Sequence, residues 1–221
     1  MDFRVSLAIF DLDNTLLSGD SDYEWGRFLI QQGIVDGEEF ERENERFYDE
    51  YKAGRLDIFE FLDYALRPLA NNDRRDLDQW HKQFMAAHIK PLISRGALEL
   101  VEKHRNQGDT LLIITATNSF VTAPIAREFG IEHLLATNPE ERDGHFTGKV
   151  AGTPCFKEGK VERLQQWLTD TGLDLEDSWF YSDSHNDLPL LEKVDHPVAV
   201  KPDDVLRKKA LANGWPIIEQ L

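Results

Sequence analysis

The stretch from Val5 to Thr15, which reads VSLAIFDLDNT, decides the fold. Its first part, Val5 to Phe10, is an apolar run of strand-forming residues that stops at Asp11. A run with so little polar alternation is typical of a strand that is covered on both faces, as in a parallel sheet. The sequence therefore predicts a parallel strand that ends at Asp11.

The chain beyond Pro91 alternates between strand and helix patterns. Apolar strand segments are predicted at 110–114, 134–136, 178–181 and 197–200. Helices are predicted at 96–106, 120–129, 160–171 and 188–194 and after Pro202, and an irregular, hairpin-like stretch contains Gly144 and Gly148. Strands that alternate with helices form βαβ units with right-handed crossovers. We therefore expect an α/β fold with a mostly parallel sheet.

Residues 17–88 interrupt this alternation. Apolar side chains recur there at helical spacing, as in Phe40, Phe47 and Tyr51, and Gly33 and Gly54 mark breaks between helices. About four helices with no strand among them indicate a helical bundle that is inserted as a unit. We predict two domains, an α/β core at 1–17 and 91–221 and a helical insert at 18–90.

The composition excludes several classes of partner. The chain has 221 residues and a formal net charge of −16, with 25 Lys and Arg against 41 Asp and Glu. Nucleic acids and anionic membranes require clustered basic residues, so neither is an expected partner. We find no secretory signal and no apolar window long enough to span a membrane, and we expect a cytoplasmic monomer or weak homodimer. The single cysteine, Cys155, excludes an intrachain disulfide.

Polar residues follow the predicted strands at the edge where α/β sheets bind their ligands. These are Asp11 and Asp13 after the first strand, Thr115 and Ala116 after the second, Asp183 and Asp187 after the strand that ends at Tyr181, and Lys160 at the start of the preceding helix. Four carboxylates at one edge repel one another unless a cation neutralises them. Because oxygen ligands select hard cations, the expected ion is Mg²⁺.

The chain resembles the phosphatases of the haloacid dehalogenase superfamily. The resemblance rests on Asp11-x-Asp13-x-Thr15, Thr115, Lys160 and Asp183-x-x-x-Asp187, which stand in the order of that family and span nearly the whole sequence. It is strongest to subfamily IB, the branch that contains phosphoserine phosphatase and histidinol-phosphatases of this type. The resemblance implies a Rossmann-like α/β core, and it makes the helical insert a C1-type cap.

The resemblance also implies roles for the two carboxylates of the first motif. Asp11 would be the nucleophile that forms an aspartyl-phosphate, which splits one difficult displacement into two easier steps. Asp13 would protonate the leaving alcohol and later deprotonate the attacking water. Its side chain must stay available for this work, so the resemblance assigns its backbone carbonyl to the metal.

The remaining motifs would hold the ion and the phosphoryl group. The resemblance places Mg²⁺ on Asp11 and Asp183, with Asp187 as a further ligand or a neighbour of the ligands. The Thr115 hydroxyl, the adjacent backbone N–H groups at Ala116 and the Lys160 ammonium would bind the phosphoryl oxygens. Lys157 is a rival for Lys160, and His185 within the last motif is a further possible substrate contact.

The expected substrate is a small phosphomonoester that carries a cationic amine. Asp20 lies nine residues after Asp11, where phosphoserine phosphatases place the acid that holds the substrate amine. No arginine matches the one that pairs with the substrate carboxylate in those enzymes, since Arg55 and Arg67 are misplaced. We therefore expect histidinol phosphate ahead of phosphoserine, with Tyr23 or Trp25 stacked on its imidazole. Alternatively, Asp20 and Asp22 merely cap a helix.

Two other kinds of function remain open from the sequence. A phosphoacceptor signalling domain also uses clustered Asp residues and a Lys, but it needs no helical insert of about 70 residues and no second Asp two positions after the nucleophile. A phosphotransferase or mutase is a nearer rival, because related caps serve both reactions. A phosphate-binding P-loop is excluded, since no G-x-x-x-x-G-K-[ST] sequence is present.

Overall fold

The structure is a computed structural model that describes residues 6–221; the start of the predicted first strand, at Val5, lies outside the described residues. Its strands are β1 (Leu7–Phe10), β2 (Thr110–Asn118), β3 (His133–Thr137), β4 (Pro139–Arg142), β5 (His145–Val150), β6 (Trp179–Ser182), β7 (His196–Val200) and β8 (Ile217–Ile218). Six of them form a parallel sheet in the order β3-β2-β1-β6-β7-β8, and β4 and β5 form a separate antiparallel hairpin.

The helices fall into two groups. Those of the helical insert are α1 (Ser21–Gln31), α2 (Gly37–Lys52), α3 (Ile58–Ala65), α4 (Arg67–Ala70) and α5 (Arg74–Phe84). Those that flank the sheet are α6 (Arg95–Gln107), α7 (Ser119–Glu128), α8 (Glu158–Thr171), α9 (Leu188–Leu191) and α10 (Asp204–Asn213). Within residues 6–221, none of the helices combines the length and the apolar character needed to cross a membrane.

The first strand lies at the centre of the sheet. Ile9 of β1 pairs with Leu112 of β2 on one side and with Phe180 of β6 on the other, and its side chain is fully buried. The chain runs outward from β1 through β2 to β3, and then outward in the opposite direction from β6 through β7 to β8. The loops after β1 and β6 therefore diverge, which opens a crevice at the carboxyl ends of these strands.

The helical insert shares an apolar core with one face of the sheet. Trp25 and Phe28 of α1 and Phe84 of α5 belong to the same buried cluster as Phe10 of β1 and Val121 of α7. The hairpin of β4 and β5 also packs against α3 and α4. Apolar burial thus continues from the sheet into the insert, while the acidic helix α2 buries only Phe47.

The structure corrects several predicted boundaries. β2 continues past Ile114 to Asn118, with a shift in its pairing to β3 between Thr115 and Asn118. The helix predicted at 188–194 ends at Leu191. The two-residue strand β8, which pairs with Ala199 and Val200 of β7, was not predicted because Ile217–Ile218 is too short to produce a pattern.

Candidate active site

Asp11 lies at the crevice because it directly follows the central strand β1. Its backbone N–H donates to the Tyr181 carbonyl at 2.9 Å, which continues the pairing of β1 with β6 by one residue. The chain then makes one irregular turn over Leu12–Leu16, in which Asn14 adopts a left-handed conformation with φ of 58°. This turn reverses the chain so closely that the side chains of Asp11 and Asp13 both line the same cavity.

Lys160 is the buried cation of the site. Its Nζ donates to Asp11 Oδ1 at 2.8 Å and to Asp187 Oδ2 at 2.8 Å. Lys160 lies in the first turn of α8, and that turn approaches the preceding loop closely, because a Cβ on Gly159 would lie 2.1 Å from the Pro154 carbonyl oxygen. Lys157, the rival in the sequence, instead donates to the Gly54 carbonyl at 2.7 Å. The structure therefore brings Lys160 into the carboxylate cluster and leaves Lys157 outside it.

Several ionisable side chains of the cluster have raised pKa values. Burial raises the pKa of Asp11 to about 7, with the Asp187 and Asp13 carboxylates adding to the rise and Lys160 opposing it. Burial and the charges of Asp11 and Asp187 also hold the pKa of Asp183 well above its usual range. Although burial disfavours its ammonium, Lys160 has a raised pKa because Asp11 and Asp187 surround it. One lysine does not neutralise this many carboxylates, so the site favours further positive charge.

Asp13 occupies a different environment from Asp11. Its Oδ1 accepts from the Ser21 backbone N–H at 2.6 Å, and its Oδ2 accepts from the Thr117 hydroxyl at 2.8 Å and the Thr115 hydroxyl at 3.3 Å. Burial and the nearby Asp20 carboxylate raise the pKa of Asp13 to about 6. A carboxyl group whose pKa lies near neutrality can both give and take a proton, which suits an acid–base role.

Thr117 is a site residue that the sequence analysis did not select. The predicted strand ended at Ile114, which left Thr117 in a loop of unspecified direction. Because β2 extends further, Thr115 and Thr117 are two positions apart near the end of a strand, and their hydroxyls both reach Asp13. The β-branched pair was the available signal for the longer strand. Ala116 between them also lines the active-site cavity.

Few acidic side chains of the site share a common position. No three Asp, Glu, His or Cys side chains within residues 6–221 are arranged around a common metal position. Asp187 is bound to Lys160 and to the Ser182 hydroxyl, and Asp183 Oδ1 accepts only a long 3.3 Å hydrogen bond from Thr15. Asn186 Oδ1 is buried at the same cavity without a hydrogen-bond partner in the described chain.

These observations fit a cation that is held by fewer than three acidic side chains. Asp11 and Asp183 offer carboxylate oxygens whose pKa values are raised mainly by burial, so a bound cation would favour their ionised forms. The unpaired oxygen of Asn186 adds a neutral acceptor to the same wall. An all-oxygen set of this kind suits Mg²⁺, which keeps several waters and binds only one or two carboxylates.

The active-site cavity holds about 150 Å³ and is lined partly by the helical insert. Asp20 and Tyr23 both line it. Asp20 also caps α1, since its Oδ1 accepts from the backbone N–H groups of Asp22 and Tyr23 at 2.9 Å. The Tyr23 ring stacks on Phe40 at a centroid distance of 5.9 Å. The capping role of Asp20 is thus present, and its position at the cavity remains compatible with a contact to substrate.

Trp25 does not lie where the sequence placed it. Its ring is packed in the apolar core, stacked on Phe28 and in edge contact with Phe84 and Phe120. Trp25 therefore does not line the active-site cavity, and its covered ring faces exclude stacking on a substrate. The physical reason is the spacing of Trp25, Phe28 and Leu29, which places the indole on the buried face of α1.

Three further residues named in the sequence analysis lie apart from the carboxylate cluster, namely Arg55, Arg67 and His185. Arg55 and Arg67 are exposed, and no arginine lines the active-site cavity within residues 6–221. His185 Nδ1 is 2.7 Å from Asp203 Oδ2, and the ring lies in a neighbouring groove. Asp20 and Asp22 therefore lie at the cavity, and no arginine of the described residues lies there to pair with a substrate carboxylate.

Several known proteins are similar to this chain over nearly its whole length. A histidinol-phosphatase of Neisseria meningitidis serogroup C (strain 8013) is 48% identical over 217 residues, which are 96% of this chain and 98% of that protein. The phosphoserine phosphatase SerB1 of Mycobacterium tuberculosis (strain ATCC 25618 / H37Rv) is 32% identical over 95% of this chain and 69% of that protein. A crystal structure of a protein of unknown function from Bordetella pertussis Tohama I is 48% identical, with a TM-score of 0.91 over 97% of this chain and 98% of that one.

The family assignment agrees with these relatives and with the motifs. The family model for haloacid dehalogenase-like hydrolases matches residues 8–192, which include Asp11, Asp13, Thr115, Lys160 and Asp183. That span covers the central strand, the helical insert and every strand that contributes to the cavity. The chain is therefore a phosphatase that belongs to the haloacid dehalogenase-like hydrolase family.

Proposed function

We propose that the chain hydrolyses a small phosphomonoester that bears an amine, with histidinol phosphate as the best candidate, through an aspartyl-phosphate on Asp11. The observation that carries this proposal is the contrast between two neighbouring buried carboxyl groups. Asp11 is held by a buried ammonium, while Asp13 is held by neutral donors. Two carboxyl groups in such different environments suit the different tasks of nucleophile and proton carrier.

In the first step, the Asp11 carboxylate attacks phosphorus, and the bond from phosphorus to the ester oxygen breaks. Asp13 gives its proton to that oxygen, so the alcohol leaves uncharged. In the second step, Asp13 takes a proton from a water molecule whose oxygen attacks phosphorus. Inorganic phosphate leaves, and the Asp11 carboxylate is restored. The Lys160 ammonium and the hydroxyl of Thr115 would bind the phosphoryl oxygens.

We propose Asp11 and Asp183 as the residues that hold Mg²⁺, together with the Asp13 backbone carbonyl, and with Asp187 beside them. Bound Mg²⁺ would supply positive charge that keeps Asp11 ionised and stabilises the charge on the phosphoryl oxygens. Residues 18–90 would act as a cap that covers the substrate and excludes competing water from the site.

The substrate preference rests on charge. The cavity wall contributes Asp20 and Asp22 beyond the carboxylates of the reaction, and within residues 6–221 it contributes no arginine for a substrate carboxylate. An amino alcohol phosphate fits such a wall better than an amino acid phosphate does. The 48% identical histidinol-phosphatase supports histidinol phosphate, whereas the 32% identical phosphoserine phosphatase supports the alternative.

Steady-state kinetics test the proposal. We expect kcat/KM for histidinol phosphate to exceed that for phosphoserine by tenfold or more, on the order of the discrimination that one mismatched charged group produces. EDTA should abolish turnover, and added Mg²⁺ should restore it. Asp11→Asn should lower kcat by about 10⁴-fold or more, because an amide cannot form the acyl phosphate. A kcat/KM that is at least tenfold higher for phosphoserine than for histidinol phosphate would contradict the proposal, and so would full activity in EDTA.

A mutase or a phosphoacceptor domain would give different results. A phosphotransferase would transfer the phosphoryl group to an added alcohol in preference to water, and a phosphoacceptor domain would become labelled without multiple turnovers. Release of inorganic phosphate over many turnovers, without an acceptor alcohol, separates hydrolysis from both alternatives.

A further inference from the structure

A second cavity lies inside the helical insert, next to the active-site cavity. It holds about 320 Å³ and is enclosed by α1, α2, α3 and α4. The two cavities share part of their lining, namely Asp22, Asn44, Phe47 and Phe61. A substrate that binds through its phosphate at Asp11 can therefore be contacted at its far end by residues that also border the insert cavity.

Asp22 is the charged residue of this shared lining. It is the second residue of α1, and no hydrogen bond or ion pair reaches its carboxylate from residues 6–221. Burial raises the pKa of Asp22 to about 8, and the carboxylates of Asp20 and Asp13 add to this rise. The Asp22 side chain is half-buried, so a ligand in the cavity can reach its carboxylate, and an N–H group or a positive charge on that ligand would offset its desolvation.

Trp25 contributes a second polar group to this part of the helical insert. The Trp25 side chain lines the insert cavity, and its indole N–H is buried without a hydrogen-bond partner in the described chain. Because Asp22 and Trp25 are three residues apart in α1, they lie on the same face of the helix. One face of α1 therefore carries an acceptor and a donor that have no hydrogen-bond partner within residues 6–221.

This pair of groups selects a particular chemistry. A neutral imidazole offers one N–H donor and one nitrogen acceptor on the same ring, which complements a carboxylate and an indole N–H. The aromatic side chains of Phe47 and Phe61 supply an apolar wall for such a ring. A carboxylate would instead be repelled by Asp22 and Asp20.

We infer that Asp22 determines specificity by accepting a hydrogen bond from a nitrogen heterocycle at the far end of the substrate, with the heterocycle in the insert cavity beside the Trp25 indole N–H. The inference rests on the proposed hydrolysis of an amine-bearing phosphate ester and names a second recognition point within it. Asp20 remains the partner proposed for the amine, so the two acids bind different nitrogen atoms.

Two esters and one conservative variant test this role. Histidinol phosphate and 2-aminopropyl phosphate share the phosphate and the amine, but only the first carries the imidazole. We expect wild-type protein to prefer histidinol phosphate in kcat/KM, and Asp22→Asn to reduce that preference by roughly 10- to 100-fold, as expected for the loss of a hydrogen bond to a charged group. Trp25→Phe, which keeps an aromatic ring, should reduce the same ratio in the same direction.

Glu38→Gln is the matched control, because Glu38 is the exposed second residue of α2 and its loss removes the same charge from the same helix position. It should retain the wild-type preference. Equal kcat/KM of wild type for the two esters, or an Asp22→Asn variant that lowers both equally, overturns the role of Asp22. A wild-type protein that releases no inorganic phosphate from either ester would instead overturn the proposed function, and the inference with it.

Discussion

The Tyr51 and Ser184 hydroxyls lie 2.7 Å apart and join helix α2 of the insert to the loop that follows β6. Ser184 directly follows Asp183, so this contact lies beside the carboxylate cluster. A second link is made by Lys157, whose Nζ donates to the Gly54 carbonyl at 2.7 Å. A small number of polar contacts therefore holds this end of the helical insert over the crevice.

Replacing Tyr51 by Phe tests whether this contact closes the site. The loss of one hydrogen bond, worth about 1 kcal/mol, should shift closure about fivefold toward the open form and raise KM by a similar factor. Steady-state kinetics with histidinol phosphate measure this change. Lys149→Met is the control, because it breaks an exposed pair with Asp63 that contributes little, and its KM should change less than about twofold. An unchanged KM in Tyr51→Phe would exclude a closing role.

Lys160 and Lys157 should differ sharply when each is replaced by Met. Lys160→Met leaves Asp11 and Asp187 buried without their cation, so it should lower the free energy of unfolding by about 3–5 kcal/mol. Lys157→Met removes only a partly exposed hydrogen bond, so its cost should be about 1 kcal/mol. Urea unfolding in EDTA measures both changes. Similar losses in the two variants would contradict the central place of Lys160 in the cluster.

The positions of Asp11 and Asp183 at the crevice could be predicted because both residues follow the ends of strands. An apolar run such as Leu7–Phe10 has few alternatives to a buried strand, and the carboxyl end of that strand fixes Asp11 at the crevice. Lys160 followed from the order of the family's motifs, which has a lysine between Thr115 and Asp183. These features depend on local sequence and on the one-dimensional order of motifs.

Features that depend on tertiary packing could not be predicted. An aromatic residue near the start of a helix has the same local sequence signal whether its ring faces a ligand or the core, so the sequence analysis offered Trp25 as a ring that stacks on the substrate. The direction of Thr117 depends on the pairing shift between β2 and β3, which no local pattern contains. The cavity inside the insert arises from four helices that approach one another, and only that approach brings Asp22 to its lining.

Tyr181→Phe should destabilise the core without altering its shape. The Tyr181 hydroxyl lies 2.8 Å from His104 Nε2, and His104 Nδ1 lies 2.7 Å from Asp109 Oδ2. Burial lowers the pKa of His104, so at neutral pH Nδ1–H donates to Asp109 and Nε2 accepts from Tyr181. The variant leaves Nε2 buried and unpaired, which should cost about 1–3 kcal/mol in urea unfolding. A loss below about 0.5 kcal/mol would show that the network contributes little.

The pH dependence of stability offers a test of Asp22 that is independent of catalysis. In the folded chain the pKa of Asp22 is raised to about 8, whereas an unfolded chain has the ordinary value near 3.8. The folded state therefore binds a proton that the unfolded state releases between these two values. Its stabilising effect is complete below pH 3.8 and is lost as the pH rises through about 8.

Asp22→Asn should remove this dependence, because its amide does not titrate. In metal-free protein, the melting temperature of the variant should match that of wild type near pH 4 and exceed it increasingly up to pH 8, by about 2–4 °C for each kcal/mol of relieved charge burial. Differential scanning calorimetry across this range measures the difference. Glu38→Gln removes a charge from the exposed equivalent position of α2 and isolates the effect of burial. A melting-temperature difference between Asp22→Asn and wild type that stays constant from pH 4 to pH 8 would show that the Asp22 carboxylate is solvated. A solvated carboxylate would need no ligand to donate to it.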